Sequence, residues 1–101
     1  MWYIKKFSLR KVKGGLHPVI MVTMNGQRVR ALVDTGANIT CHGTKVDGVV
    51  HGTLDIAGLI VGVTMPRFKI PGGYKLLIGS DILAKTNALI DYKRKEITLM
   101  R

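Results

Sequence analysis

The stretch Arg30-Ala31-Leu32-Val33-Asp34-Thr35-Gly36-Ala37 decides how the rest of the chain is read. Its aliphatic half predicts a buried strand, and that strand runs without a spacer into a carboxylate, a hydroxyl and a glycine. Asp34 is therefore expected on a tight turn, with Gly36 letting backbone approach closely. Just upstream, Pro18 to Met24 and Gln27 to Val33 flank Asn25-Gly26, the dipeptide that best tolerates the two positive φ angles of a type I′ hairpin turn.

Working outward, β-branched and aliphatic residues come in short runs broken by glycine and proline, and no stretch of 12 residues carries a helical apolar stripe. Extended structure resumes at Ile39 to Cys41. Asp47-Gly48, between Val46 and Val49-Val50, is expected to be a second hairpin tip, and Thr53 to Ile70 reads as two strands with a turn within Gly58 to Val63. Pro71-Gly72-Gly73 then breaks the pattern before a buried strand, Tyr74 to Ile78, that ends on Gly79. A short helix follows, with Ser80 as its N-cap, Asp81 at the positive end of the helix dipole and Ile82-Leu83-Ala84 as its apolar side. Ala88 to Asp91 and Glu96 to Met100 close the chain as two strands joined by the basic turn Tyr92 to Lys95. The expectation is one all-β domain spanning residues 1–101, with one short C-terminal helix.

Composition narrows the function. The chain has 101 residues, 47% of them hydrophobic, which is enough to fold as one small domain and too much for a disordered basic tail. Its longest uncharged apolar run, Ile56 to Val63, has eight residues, far fewer than the roughly 20 a spanning helix needs, so no membrane contact is expected. The N-terminus lacks the order of segments that marks secretion, and Cys41 alone forms no intrachain disulfide. The net charge is +10, and residues 1 to 33 hold seven Lys or Arg and no acid. Such a surface keeps a small protein soluble and also admits a weak nucleic-acid contact, although the aromatics are too scattered to form a stacking platform.

Asp34 is the one acid placed for chemistry. A single carboxylate is a weak catalyst of peptide hydrolysis, whereas two within hydrogen-bonding reach share one proton and together activate a water and protonate a carbonyl. One chain supplies one such turn, so the chemistry needs a homodimer whose twofold axis passes through an Asp34 pair. Asp-Thr-Gly by itself is a weak signal. Together with Leu77-Ile78-Gly79-Ser80-Asp81-Ile82-Leu83 downstream, however, Leu32-Val33-Asp34-Thr35-Gly36-Ala37 resembles the retropepsin family, the homodimeric aspartic proteases of retroviruses and related elements. The resemblance spans nearly the whole chain.

The resemblance implies a closed β-barrel subunit in a homodimer whose N- and C-terminal strands interleave, here through Trp2 to Phe7 and Ile97 to Met100. It implies Asp34 as the catalytic aspartate, Thr35 bonding across the dimer axis, Gly36 on the floor, and Ala37 and Asn38 along the substrate-facing wall. A trimmed flap is placed at Gly43 to Gly52, with Asp47, Gly48, Val49 and Val50 at its tip, and pocket residues at Leu32, Ile39 and Ile78. Many relatives carry an acid where Asn38 stands and an arginine where Ser80 stands, so the brace of the active-site turn departs from the pattern. The activity implied is that of an endopeptidase acting on a viral or retroelement polyprotein in the virion or host cytoplasm, with no cofactor and no metal.

Plainer readings stand beside this one. Asp34 can merely cap its turn, and Asp81 reads as a structural first-turn charge. His17, His42, His51 and Cys41 have no zinc-finger spacing, and adjacent Cys41 and His42 point to opposite faces of a strand. Two further functions stay open: a non-catalytic dimerisation or peptide-binding module on the same fold, and a small basic β-barrel that binds RNA or DNA.

Overall fold

Glycine turns organise the chain. In this computed structural model, which describes residues 1–44 and 47–100, Asn25 and Gly26 take φ values of 48° and 82°. They join β3 (Gly15–Met24) to β4 (Gln27–Val33) as the expected type I′ hairpin, in register from Met24 opposite Gln27 to Val19 opposite Leu32. A second turn of the same hand at Lys13-Gly14 lays β2 (Ser8–Val12) along the other edge of β3. A third, at Ala57-Gly58, joins β6 (Val49–Ile56) to β7 (Leu59–Phe68), with Asp55 Oδ1 accepting the Gly58 N–H at 2.8 Å.

That third hairpin bears on two expectations. Its turn, Ala57-Gly58, falls at the very start of the Gly58 to Val63 window and takes in one residue before it, because the rest of the apolar run continues as strand. Asp47-Gly48 is not a hairpin tip: β5 (Cys41–Gly43) pairs with β7 and β8 (Leu76–Ile78), while β6 pairs with β7 and β3. Val49 and Val50 thus belong to a long barrel strand opposite Pro66 and Met65. Lys45 and Val46, at the centre of the expected flap, lie outside the described residues.

The larger sheet runs β2-β3-β4-β8-β5-β7-β6, and pairing of β6 back onto β3 closes six strands into a barrel, with β2 outside. Strand alternation fills the interior with Val22, Ala31, Val33, Leu54, Val61, Met65, Leu76 and Ile78, each at most 2% exposed. A smaller cluster of Val19, Leu32, Ile70 and Leu77 sits on the opposite face of the same strands, and Tyr74 and Ala37 pack against it. The helix α1 (Ser80–Lys85) and a second sheet contribute Ile82, Ile97 and Leu99 to the main core.

The second sheet has the order β1-β10-β9, from β1 (Trp2–Lys5), β10 (Glu96–Leu99) and β9 (Leu89–Asp91). Here the terminal strands expected to interleave with a partner pair within the chain, Trp2 opposite Leu99 through Lys5 opposite Glu96. Because β9 takes the other edge of β10, only the outer edges of β1 and β9 are left in this sheet for another chain.

Helix α1 begins one residue earlier than Ser80 as N-cap would require: Gly79 is the cap and Ser80 the first helical residue. The reason is space. A Cβ on Gly79 would stand 2.8 Å from the Ala37 and Ile39 carbonyl oxygens, so only glycine lets the start of the helix slide beneath the Asp34 turn. Replacing Gly79 with alanine is expected to destabilise the fold by about 1–3 kcal/mol, the cost of overpacking a site that cannot relax, measurable by urea unfolding. An alanine variant as stable as the native chain would contradict this packing.

Candidate active site

Asp34 leaves the barrel at the end of β4, where parallel pairing with β8 continues for one more bond, from Asp34 N–H to the Ile78 carbonyl at 2.9 Å. The chain then turns sharply, with Ala37 N–H bonded to the Asp34 carbonyl at 3.2 Å and Gly36 N–H to Asp34 Oδ1 at 3.0 Å. The carboxylate is 28% exposed, held by backbone on one oxygen and open on the other. Thr35 and Gly36 are exposed, and the Thr35 hydroxyl has no hydrogen-bond partner among the described residues.

Beneath the turn lies a brace that the sequence did not disclose. Buried Thr40 donates its hydroxyl to Asp81 Oδ1 at 2.7 Å and its N–H to Oδ2 at 3.1 Å, and Thr40 Oγ1 accepts the Gly79 N–H at 3.0 Å. Ser80 N–H adds a bond to the Ala37 carbonyl at 2.7 Å. Asp81 is structural, as expected, but its role exceeds that of a first-turn charge. Asn38 and Ser80 stand at the positions of the relatives' brace, and here the charge-assisted bonds run from Thr40 to Asp81.

The other anticipated site residues separate by strand parity. Leu32 joins the outer cluster and Ile39 is exposed, so both flank the turn on its outer side. Ile78 does not: its side chain is 1% exposed in the barrel core, and its neighbour Leu77 takes the outer position beside Leu32. Val49 is exposed, while Val50 packs on the core. Beyond the outer cluster, two adjoining hollows of about 590 and 540 Å³ share His42, Gly72, Gly73, Tyr74 and Lys75. Arg30 lies over the Tyr74 ring at 5.6 Å, and Arg28 and Lys69 complete a rim without acids. Burial, with Arg67 and Lys75 nearby, pushes His42 below the usual imidazole range, so it is neutral at physiological pH.

Sequence reasoning weighed His17 only as a metal ligand. The structure places its Nδ1 3.9 Å from Asp34 Oδ1 and 3.3 Å from the Val33 carbonyl oxygen. Strand pairing was the available signal, since extending the β3–β4 register two residues beyond Val19 and Leu32 sets His17 opposite Asp34. His51 instead bonds Thr64 Oγ1 on the neighbouring strand, and no three potential metal ligands cluster among the described residues. The Cys41 thiol is pushed up by burial and by the Asp81 charge, which keeps it protonated and a poor nucleophile at neutral pH.

Thr40→Val is expected to cost about 1–3 kcal/mol in chemical denaturation, because the Gly79 N–H loses its acceptor in a buried position. Unchanged stability would mean that the brace carries no weight.

The comparisons agree with this geometry. A family model for the retroviral aspartyl protease matches residues 16–46, the segment that holds β3, β4, the Asp34 turn and β5. Among solved structures, the retroviral protease-like domain of Ddi1 from Leishmania major superimposes with a TM-score of 0.67 at 22% identity, covering 80% of this chain and 87% of that one. A retropepsin-like aspartic protease from Rickettsia conorii gives 0.65 at 16% identity, covering 98% and 93%. The EIAV protease, solved with the inhibitor HBY-793, gives 0.55 at 21%, covering 81% and 99%. Comparison with curated proteins returns no match. The six-stranded closed barrel beneath the Asp-Thr-Gly turn is a retropepsin-like fold, and the chain resembles the retropepsin family in both sequence and architecture.

Proposed function

We propose that the chain is one subunit of a homodimeric aspartic endopeptidase, with the Asp34 carboxylates of two copies facing each other across a twofold axis. The observation that carries this reading is the Asp34 turn itself: a partly exposed carboxylate, fixed by Gly36 N–H on one oxygen and free on the other, at the edge of a rigid barrel. Two such groups in contact cannot both ionise, so they hold one proton between them. The ionised member takes a proton from a water as it attacks the scissile carbonyl, and the protonated member donates to the carbonyl oxygen. No covalent intermediate forms. The side chain of Thr35, exposed and without a partner among the described residues, is suited to bond across the axis.

An extended peptide would lie along Gly36, Ala37 and Asn38, with its side chains meeting Ile39 and the outer cluster around Leu32 and Leu77. Backbone pairing supplies affinity in such an arrangement, and the apolar positions choose residues beside the cut. A polyprotein of a virus or retroelement is the substrate class this reading assigns.

One observation favours a second reading, a peptide-binding module without catalysis. Only residues 44–48 separate β5 from β6, too few for two paired strands and a turn, so the subunit has little chain with which to cover a bound peptide. The two readings separate on cleavage. A mixed peptide library incubated between pH 4 and 7 at high protein concentration is expected to be cut by the native chain. Asp34→Asn should cut about 100- to 10,000-fold more slowly while keeping its fold. A folded, dimeric native chain that cuts nothing would leave the binding module.

Thr35→Val tests the dimer separately. Loss of two symmetry-related hydrogen bonds is expected to raise the dimer dissociation constant about 5- to 150-fold in sedimentation experiments, with urea unfolding of the monomer unchanged. An unchanged dissociation constant would remove Thr35 from the interface.

A further inference from the structure

Building on the aspartic-protease reading, we propose that His17 is a positioning residue for the Asp34 carboxylate, and that its charge sets the acid limit of activity. The imidazole is fixed on three sides. Its Nδ1 meets the Val33 carbonyl oxygen at 3.3 Å and Asp34 Oδ1 at 3.9 Å, and its Nε2 lies over Gly15, where a Cβ would stand only 3.0 Å away. The His17 and Asp34 side chains are 20% and 28% exposed, so solvent screens the pair less than it would on an open surface.

The bond to the Val33 carbonyl requires a hydrogen on Nδ1, which is present in the protonated ring and in one neutral tautomer. The ring therefore keeps its place whether or not it is charged. What changes on protonation is the field at Asp34. Two charged groups face the ring: Asp34, beyond the end of β4, and Arg10, directly opposite in the β2–β3 pairing. Arg10 turns its guanidinium back to the Leu9 carbonyl at 3.1 Å. The imidazole thus stands beside the Asp34 carboxylate, with Arg10 its register partner on β2.

A cation at this distance favours the ionised carboxylate. An Asp34 pair works with one shared proton and fails when a second arrives. A protonated His17 beside Asp34 opposes the arrival of that second proton. His17 therefore extends activity into acid without touching substrate.

Two experiments test this. In the first, the His17 ring is titrated by NMR in the native chain and in Asp34→Asn; loss of the carboxylate should lower the His17 midpoint by about 0.5 pH units or more. Identical midpoints would overturn the proposal, whether or not the protein cleaves peptides. In the second, the pH profile of kcat/KM is compared for the native chain, His17→Gln and His17→Arg. The acid limb should rise by about 0.5 to 1 pH units in the neutral variant and stay near its native position in the arginine variant. A uniform loss of rate at every pH, with the limb unmoved, would assign His17 a merely structural role. A shifted NMR midpoint in a chain that cleaves nothing would sustain the pairing and reject the protease reading alone.

Discussion

Everything at the candidate site depends on one close approach: the backbone of Gly79 slides under the turn that follows Asp34, where the Ala37 and Ile39 carbonyls leave no room for a Cβ. That approach lets β4 and β8 run parallel to their ends, lets the Ile78 carbonyl take the Asp34 N–H, and lets Thr40 reach Asp81. Each consequence fixes one side of the turn. Small size makes such fixing necessary, since a domain of about a hundred residues has little stability to spend on holding a solvent-facing carboxylate in one orientation. Charge-assisted hydrogen bonds between distant segments provide it where hydrophobic burial cannot.

The same economy shapes the edges and faces that the proposed dimer would use. The barrel is closed by six strands, so the larger sheet ends in a single free strand, β2, and the smaller sheet in β1 and β9. With β10 occupied on both edges, a second copy in the proposed dimer would meet the outer edges of β1, β9 or β2, or the exposed face around Thr35. A dimer built this way adds contacts to a finished subunit instead of completing an unfinished one. On the proposed peptide-binding reading, the short β5–β6 connection leaves a bound peptide held by the floor and walls more than by a cover.

Local features were legible in the residues themselves. Asn25-Gly26 forms its turn because two left-handed backbone conformations in succession are nearly a property of that dipeptide. Leu32-Val33 forms a buried strand and delivers Asp34 to a glycine turn for equally short-range reasons. The Ala57-Gly58 turn lies at the edge of a broad window because the apolar run around it has no polar punctuation, so period and composition leave its position open. The helix was found, but its first residue was not, because its start is set by the space above Gly79 and not by the capping preference of Ser80.

The sequence by itself determined that this is a small basic β domain, that Asp34 sits on a tight turn after a buried strand, and that the Gly79 motif leads into the one helix. Those properties follow from neighbours within a few residues, through turn chemistry, alternation and caps. Only the tertiary structure decided that Thr40 and Asp81, 41 residues apart, brace that turn. It alone decided that His17 lies beside Asp34, that Ile78 turns inward while Leu77 turns outward, and that the terminal strands pair within one chain. These depend on which strands become neighbours and in what register, and a shift of one residue would exchange every inward side chain for an outward one.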